Sequence, residues 1–151
     1  MFFLAWRLCI TNHMVNESGG PKKILVIEEV EDDDSLRDVL GEKFINEGFN
    51  VIKARNGEEG LKIALREQPD LILLDLLMPV MDGLTMMDKI RNDDGAYGKN
   101  VPIVILTNMQ PDDDKIMSAV TKNQPAYYLV KSAWTMDQLV EKVKERLGRK
   151  T

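Results

Sequence analysis

From Lys22 onward the chain alternates between two kinds of apolar patterning. Ile24 to Ile27 and Leu71 to Leu74 are short continuous apolar runs, the pattern of strands covered on both faces. Phe49 to Ala54, Val101 to Leu106 and Ala126 to Val130 predict three more strands. Between them the apolar residues recur every three or four positions. Leu36, Val39, Leu40 and Phe44 fall on one helical stripe that begins near Ser35 and ends at Gly48. Asn56 is placed to cap a second helix with the inner stripe Leu61, Ala64 and Leu65, stopped before Pro69. Leu84, Met87 and Ile90 mark a third, followed by a polar loop from Asn92 to Asn100. Pro111 opens a fourth on Ile116, Ala119 and Val120. The last helix carries Met136, Leu139, Val140, Val143 and Leu147 on one face, with Thr135 and Gln138 as a capping box.

Five strands alternating with five helices predict an α/β fold, a doubly wound parallel sheet with helices on both faces and right-handed crossovers. In such sheets the functional residues lie just beyond the carboxyl ends of the strands. A length of 151 residues favours one domain. The net charge of -5 opposes direct nucleic-acid binding, which needs surplus Lys and Arg. A single cysteine, Cys9, fits a reducing compartment, so the cytoplasm is expected. Met1 to Ile10 is apolar but far short of the roughly 20 residues that span a bilayer, and no membrane association is expected. Residues 1–21 are read as a flexible leader, with an upstream start call as the explanation for the part before Met14, residues 22–148 as the domain, and 149–151 as a tail.

Glu28 and Glu29 follow the first strand, Asp75 the third, Thr107 the fourth and Lys131 the fifth. Carboxylates, a hydroxyl and an ammonium would thus meet at one sheet edge. Asp75 stands inside Asp-Leu-Ile-Leu-Leu-Asp-Leu-Leu-Met-Pro-Val-Met-Asp-Gly, Asp70 to Gly83. This stretch, with Thr107, Tyr128 and Lys131 in order, resembles the receiver domain of two-component response regulators over about Lys22 to Gly148. The resemblance implies a flavodoxin-like sheet of order 2-1-3-4-5 and phosphorelay signalling. Asp75 would accept a phosphoryl group from a sensor histidine kinase or histidine phosphotransfer protein. Mg²⁺ would be held by Glu28, Glu29, Asp75 and the Leu77 backbone carbonyl. Lys131 and Thr107 would contact phosphate oxygens, and Tyr128 would be the switch aromatic. A domain of this kind standing alone would act through a downstream protein target, switched at the face of the fourth helix, fifth strand and fifth helix. It would catalyse only its own phosphorylation and dephosphorylation.

The chain departs from the family pattern in places. Glu28 to Asp34 holds six acids in seven positions. Counting from the strand selects Glu28 and Glu29 as metal ligands, whereas counting back from the helix selects Glu31 and Asp32. The strand count is preferred, because burying two unpaired charges inside a strand is costly. Asn108 replaces a small residue, Ser132 a proline, and Asn123-Gln124-Pro125 a Gly-Ala turn. These changes leave a phosphorylation-independent interaction module as the alternative reading. The acidic first loop excludes a flavin or nucleotide cradle, which wants a Ser/Thr/Gly-rich turn. Leu77 stands where aspartyl phosphatases place a second Asp.

Overall fold

The computed structural model describes residues 20–28, 36–78, 80–108 and 114–148. These form β1 (Lys23–Ile27), α1 (Leu36–Asn46), β2 (Asn50–Ala54), α2 (Gly57–Glu67), β3 (Leu71–Leu74), α3 (Gly83–Arg91) and α4 (Ala96–Asn100). There follow β4 (Ile103–Thr107), α5 (Asp114–Lys122), β5 (Tyr127–Val130), a 3-10 turn at Lys131–Ala133 and α6 (Met136–Gly148). The strands make one sheet of order β2-β1-β3-β4-β5, parallel throughout. Ile27 pairs with Ala54 and Leu74, and Ile105 with Leu74 and Tyr128. Residues just past each strand therefore emerge along one edge.

Strand residues divide between two cores by parity, since successive side chains point to opposite faces. Ile24, Val26, Leu71, Leu73, Val104, Leu106 and Leu129 pack with Leu40 and Phe44 of α1 and Leu139, Val140 and Val143 of α6. Leu25, Ile27, Ile72, Leu74, Ile103 and Ile105 pack with Ala64 of α2, Met86, Met87 and Ile90 of α3 and Val120 of α5. Burial on both sides is why these strands read as unbroken apolar runs. Asn56 accepts from the Glu59 amide at 2.9 Å, and Thr135 and Gln138 exchange their reciprocal bonds at 2.9 and 3.2 Å. Gly48 takes φ +94 after α1, and Phe49 turns back edge-on against Phe44, ring centres 5.7 Å apart.

The polar loop expected over Asn92–Asn100 instead contains α4. Distant contacts hold this short helix. Tyr97 donates its hydroxyl to the Pro69 carbonyl at 2.7 Å, and Arg91 donates to the carbonyls of Gly98 and Val101. β4 accordingly starts at Ile103, two residues later than expected, because Val101 closes α4 and Pro102 has no N–H for the ladder. Pro21, at the end of the expected leader, forms a β-bridge. Residues 1–19 and 149–151, and Pro111 at the expected start of the fourth helix, lie outside the described residues.

Burial raises the Tyr97 phenol above its ordinary value, with the Asp70 charge adding to the effect. A raised phenol contributes stability that is complete below its free value of 10.0 and is lost as pH rises through the folded value. Tyr97→Phe should cost about 1–2 kcal/mol at neutral pH by stranding the Pro69 carbonyl. Urea unfolding on either side of pH 10 should show the wild-type advantage shrinking at the alkaline end.

Candidate functional site

Asp75 begins where β3 stops, its amide still bonded to the Ile27 carbonyl at 3.1 Å. Glu28 holds the same place after β1, with its amide on the Ala54 carbonyl at 3.3 Å. Strand parity turns Glu28, Asp75 and Lys131 toward the α1/α6 side of the sheet, in line with Val26, Leu73 and Leu129. Their side chains meet. Lys131 Nζ lies 2.5 Å from Glu28 Oε1 and 3.1 Å from Asp75 Oδ2. The other Asp75 oxygen, Oδ1, accepts the Leu77 amide at 3.1 Å. All three charged side chains are largely buried, at 9%, 11% and 16% exposure for Glu28, Asp75 and Lys131.

Two carboxylates share one ammonium, which leaves the cluster one negative charge in excess. Burial raises the Glu28 carboxyl above its usual range, and the Asp75 charge adds to the rise. Contact with Lys131 opposes both and is outweighed. For Lys131, burial alone would lower the ammonium pKa. The hydrogen bond to Glu28 and the charges of Glu28 and Asp75 overcome that and raise it, so the ammonium stays charged. An all-oxygen donor pair with surplus negative charge fits a hard divalent cation, which needs only one or two carboxylates beside its waters. Among the described residues no group of three His, Cys, Asp or Glu side chains surrounds a metal position. Glu29, Glu31 and Asp32 lie outside the described residues.

Thr107 is fully buried at the end of β4 and, by parity, faces the α2/α3/α5 side with Ile103 and Ile105. Tyr128 packs against that same core, paired in register with Ile105 and hence one diagonal step from Thr107. The expected site residues thus split between the two faces of the sheet edge. Asp82 caps α3, accepting from the Thr85 amide at 2.8 Å and its hydroxyl at 3.0 Å. Leu77 and Val80 stand exposed on the loop between β3 and α3, Val80 at φ +68, a conformation disfavoured for a β-branched residue. Ser132 begins no cis turn: among the described residues every peptide bond is trans.

Gly83 closes the Met-Pro-x-x-Asp-Gly stretch that carries the resemblance, but its sequence position alone assigned it no structural role. A Cβ there would lie 2.3 Å from the Asp75 carbonyl oxygen and 2.8 Å from Leu76 Cα. Backbone on both sides cannot yield as a side-chain tip would. Gly83→Ala should cost about 3 kcal/mol by overpacking, seen as a lower urea midpoint with an unchanged slope. Arg91 was passed over as well. Its guanidinium reaches Asn123 O at 2.8 Å, Gly98 O at 2.9 Å, Val101 O at 2.8 Å and Gln124 O at 3.4 Å.

The described site thus gathers two acids and a lysine at the carboxyl edge of a 2-1-3-4-5 sheet. The family model for the response regulator receiver domain matches residues 25–144, and the chain belongs to that family. Receiver domains are the signalling switches of two-component systems. Among curated proteins, the alkaline phosphatase synthesis transcriptional regulatory protein PhoP of Bacillus subtilis is 38% identical over 96 residues, 64% of this chain and 37% of PhoP. The transcriptional regulatory protein AfsQ1 of Streptomyces coelicolor is 36% identical over 88 residues, 58% of this chain and 37% of AfsQ1. The matched segment therefore spans little more than a third of these relatives. Among solved structures, the response regulator TrrA of Thermotoga maritima, in complex with Mg²⁺ and BeF, superposes with a TM-score of 0.65. It is 34% identical, and the match covers 82% of this chain and 97% of TrrA. No described helix is long and apolar enough to cross a membrane.

Proposed function

We propose that this chain accepts a phosphoryl group on Asp75 from a phosphohistidine on a sensor kinase or phosphotransfer protein, in the cytoplasm. The observation that carries the reading is the shared ammonium: Lys131 touches both Asp75 and Glu28 at the sheet edge. An Asp75 oxygen attacks phosphorus, the P–N bond breaks, and its electron pair leaves with the imidazole, which takes a proton from water. The product is an acyl phosphate. Glu28, Glu29, Asp75 and the Leu77 carbonyl would hold Mg²⁺, with Glu31 and Asp32 as the alternative to the Glu pair. Bound there, the cation neutralises charge on the entering phosphoryl oxygens.

The remaining steps belong to side chains of the chain. Lys131 exchanges Glu28 for a phosphate oxygen, and Thr107 donates its hydroxyl to another. Movement of Thr107 then frees space that the Tyr128 ring can enter, shifting the equilibrium of the α5/β5/α6 face toward a form that a downstream protein reads. Residues 22–148 form the receiver unit in this reading, with 1–21 as leader and 149–151 as tail. One observation favours a second reading. Asn108, exposed directly after β4 where the family prefers a small residue, would crowd phosphate entry, which a phosphorylation-independent interaction module would tolerate. Incubation with Mg²⁺ and phosphoramidate separates the two. The intact mass should rise by one phosphate; a protein that takes up none under those conditions is the interaction module.

A further inference from the structure

α5 is unevenly anchored. Its first turn is exposed at Asp114, and Ile116 and Met117 are only half-buried. Val120, in the last turn, is its buried apolar residue at 2% exposure, and Asn123 just beyond is buried at 6%. Three other helices bury two or more large apolar side chains each: Leu40 and Phe44 on α1, Met86, Met87 and Ile90 on α3, and Leu139, Val140 and Val143 on α6. The end of α5 that is buried is also the end that is tied. Asn123 bonds its side-chain amide to the Ala119 carbonyl at 3.2 Å, and the amides of Asn123 and Gln124 return to Val120 and Thr121 at 3.1 Å each. Carbonyls of Asn123 and Gln124 then accept from Arg91, the last residue of α3.

Arg91 is half-buried, and its guanidinium donates to main-chain carbonyls in two separate segments, the end of α4 and the turn after α5. Carbonyls at helix ends carry partial negative charge, which suits a cation that gives up water. The planar fork can satisfy both segments at once; a lysine ammonium cannot reproduce that geometry. Gln124 sits in the left-handed region at φ +50, so the turn is held in a conformation that a non-glycine residue leaves readily once its contacts go.

We propose that Arg91 is the pivot of the switch. It pins the C-terminal end of α5 to α3, so that phosphorylation swings the helix about Val120–Gln124 and moves its N-terminal part, whose Ile116 packs against the same core as Tyr128. This rests on the phosphorylation reading above and adds where the moving helix is held. Arg91 acts through backbone and touches no reacting atom; it is a positioning residue.

Amide hydrogen exchange on the full chain, with and without Mg²⁺ and BeF₃⁻ as phosphoryl mimic, tests it. In the wild type the mimic should change exchange at residues 114–118 and leave 120–124 unchanged. In Arg91→Lys, which keeps the charge, the change should spread to 120–124, whose basal exchange should rise about tenfold as the carbonyl contacts are lost. Equal change at both ends in the wild type overturns the pivot, and needs no variant to fold. A Lys variant with the wild-type pattern overturns it too, as does an α5 that does not respond at all. Phosphate uptake in the phosphoramidate assay, measured alongside, tells loss of the pivot from loss of the phosphoacceptor reading.

Discussion

Asp75→Asn should reduce phosphate uptake from phosphoramidate to the level of buffer alone while leaving the fold intact. An amide of the same shape is neutral and lacks the lone-pair basicity that attack on phosphorus requires. Its oxygen can still accept the Leu77 amide, which Oδ1 of Asp75 now does at 3.1 Å. The ammonium of Lys131 retains Glu28, so no buried cation is stranded. Intact-mass measurement reads the uptake, and urea unfolding checks that stability has not fallen. A variant that still gains one phosphate would move the acceptor elsewhere.

Lys131→Met carries the next largest effect, and it falls on stability first. Removing the ammonium leaves Glu28 and Asp75 buried side by side with nothing between them. Breaking a buried pair in this way costs about 3 kcal/mol. Divalent cation should return a large part of that, because the two acids then have a replacement counter-charge. The wild type gains less from the same addition. The pH dependence has a fixed sign. The Lys131 pKa is raised, so its contribution is complete below its ordinary value of 10.5 and is lost as pH climbs through the folded value. The stability gap between wild type and variant should therefore close at the alkaline end. Urea unfolding with and without Mg²⁺, across that range, checks both parts.

Much of the fold was written in the chain because the strands are buried twice over. Leu71 to Leu74 could be nothing but a central strand, and all four are buried to 2% exposure or less. Asn56 and the Thr135–Gln138 pair signalled their helices through local chemistry that needs no distant partner. α4 lacked any such signal. Its five residues have no stripe of their own and are held by a tyrosine on Pro69 and an arginine from α3. Asp75 and Lys131 were legible as the polar residues that follow buried strands, and they do meet. The acidic partner was open between two counts of the same run, from the strand or from the helix. The register of β1 with β3, which sets Ile27 against Leu74, brings Glu28 alongside Asp75; sequence spacing has no means of showing this. Arg91 left no trace either, because its partners are carbonyls that every residue has.

The position that takes the phosphate decides whether Asp75 is the acceptor. Reduction of the phosphorylated protein with borohydride converts an aspartyl phosphate to homoserine, which tandem mass spectrometry of the peptides then locates. Homoserine at position 75, dependent on Mg²⁺ and absent without phosphodonor, is the expected result. Homoserine at Asp70 or Asp82 instead, or none at all in protein that has taken up phosphate, would contradict it.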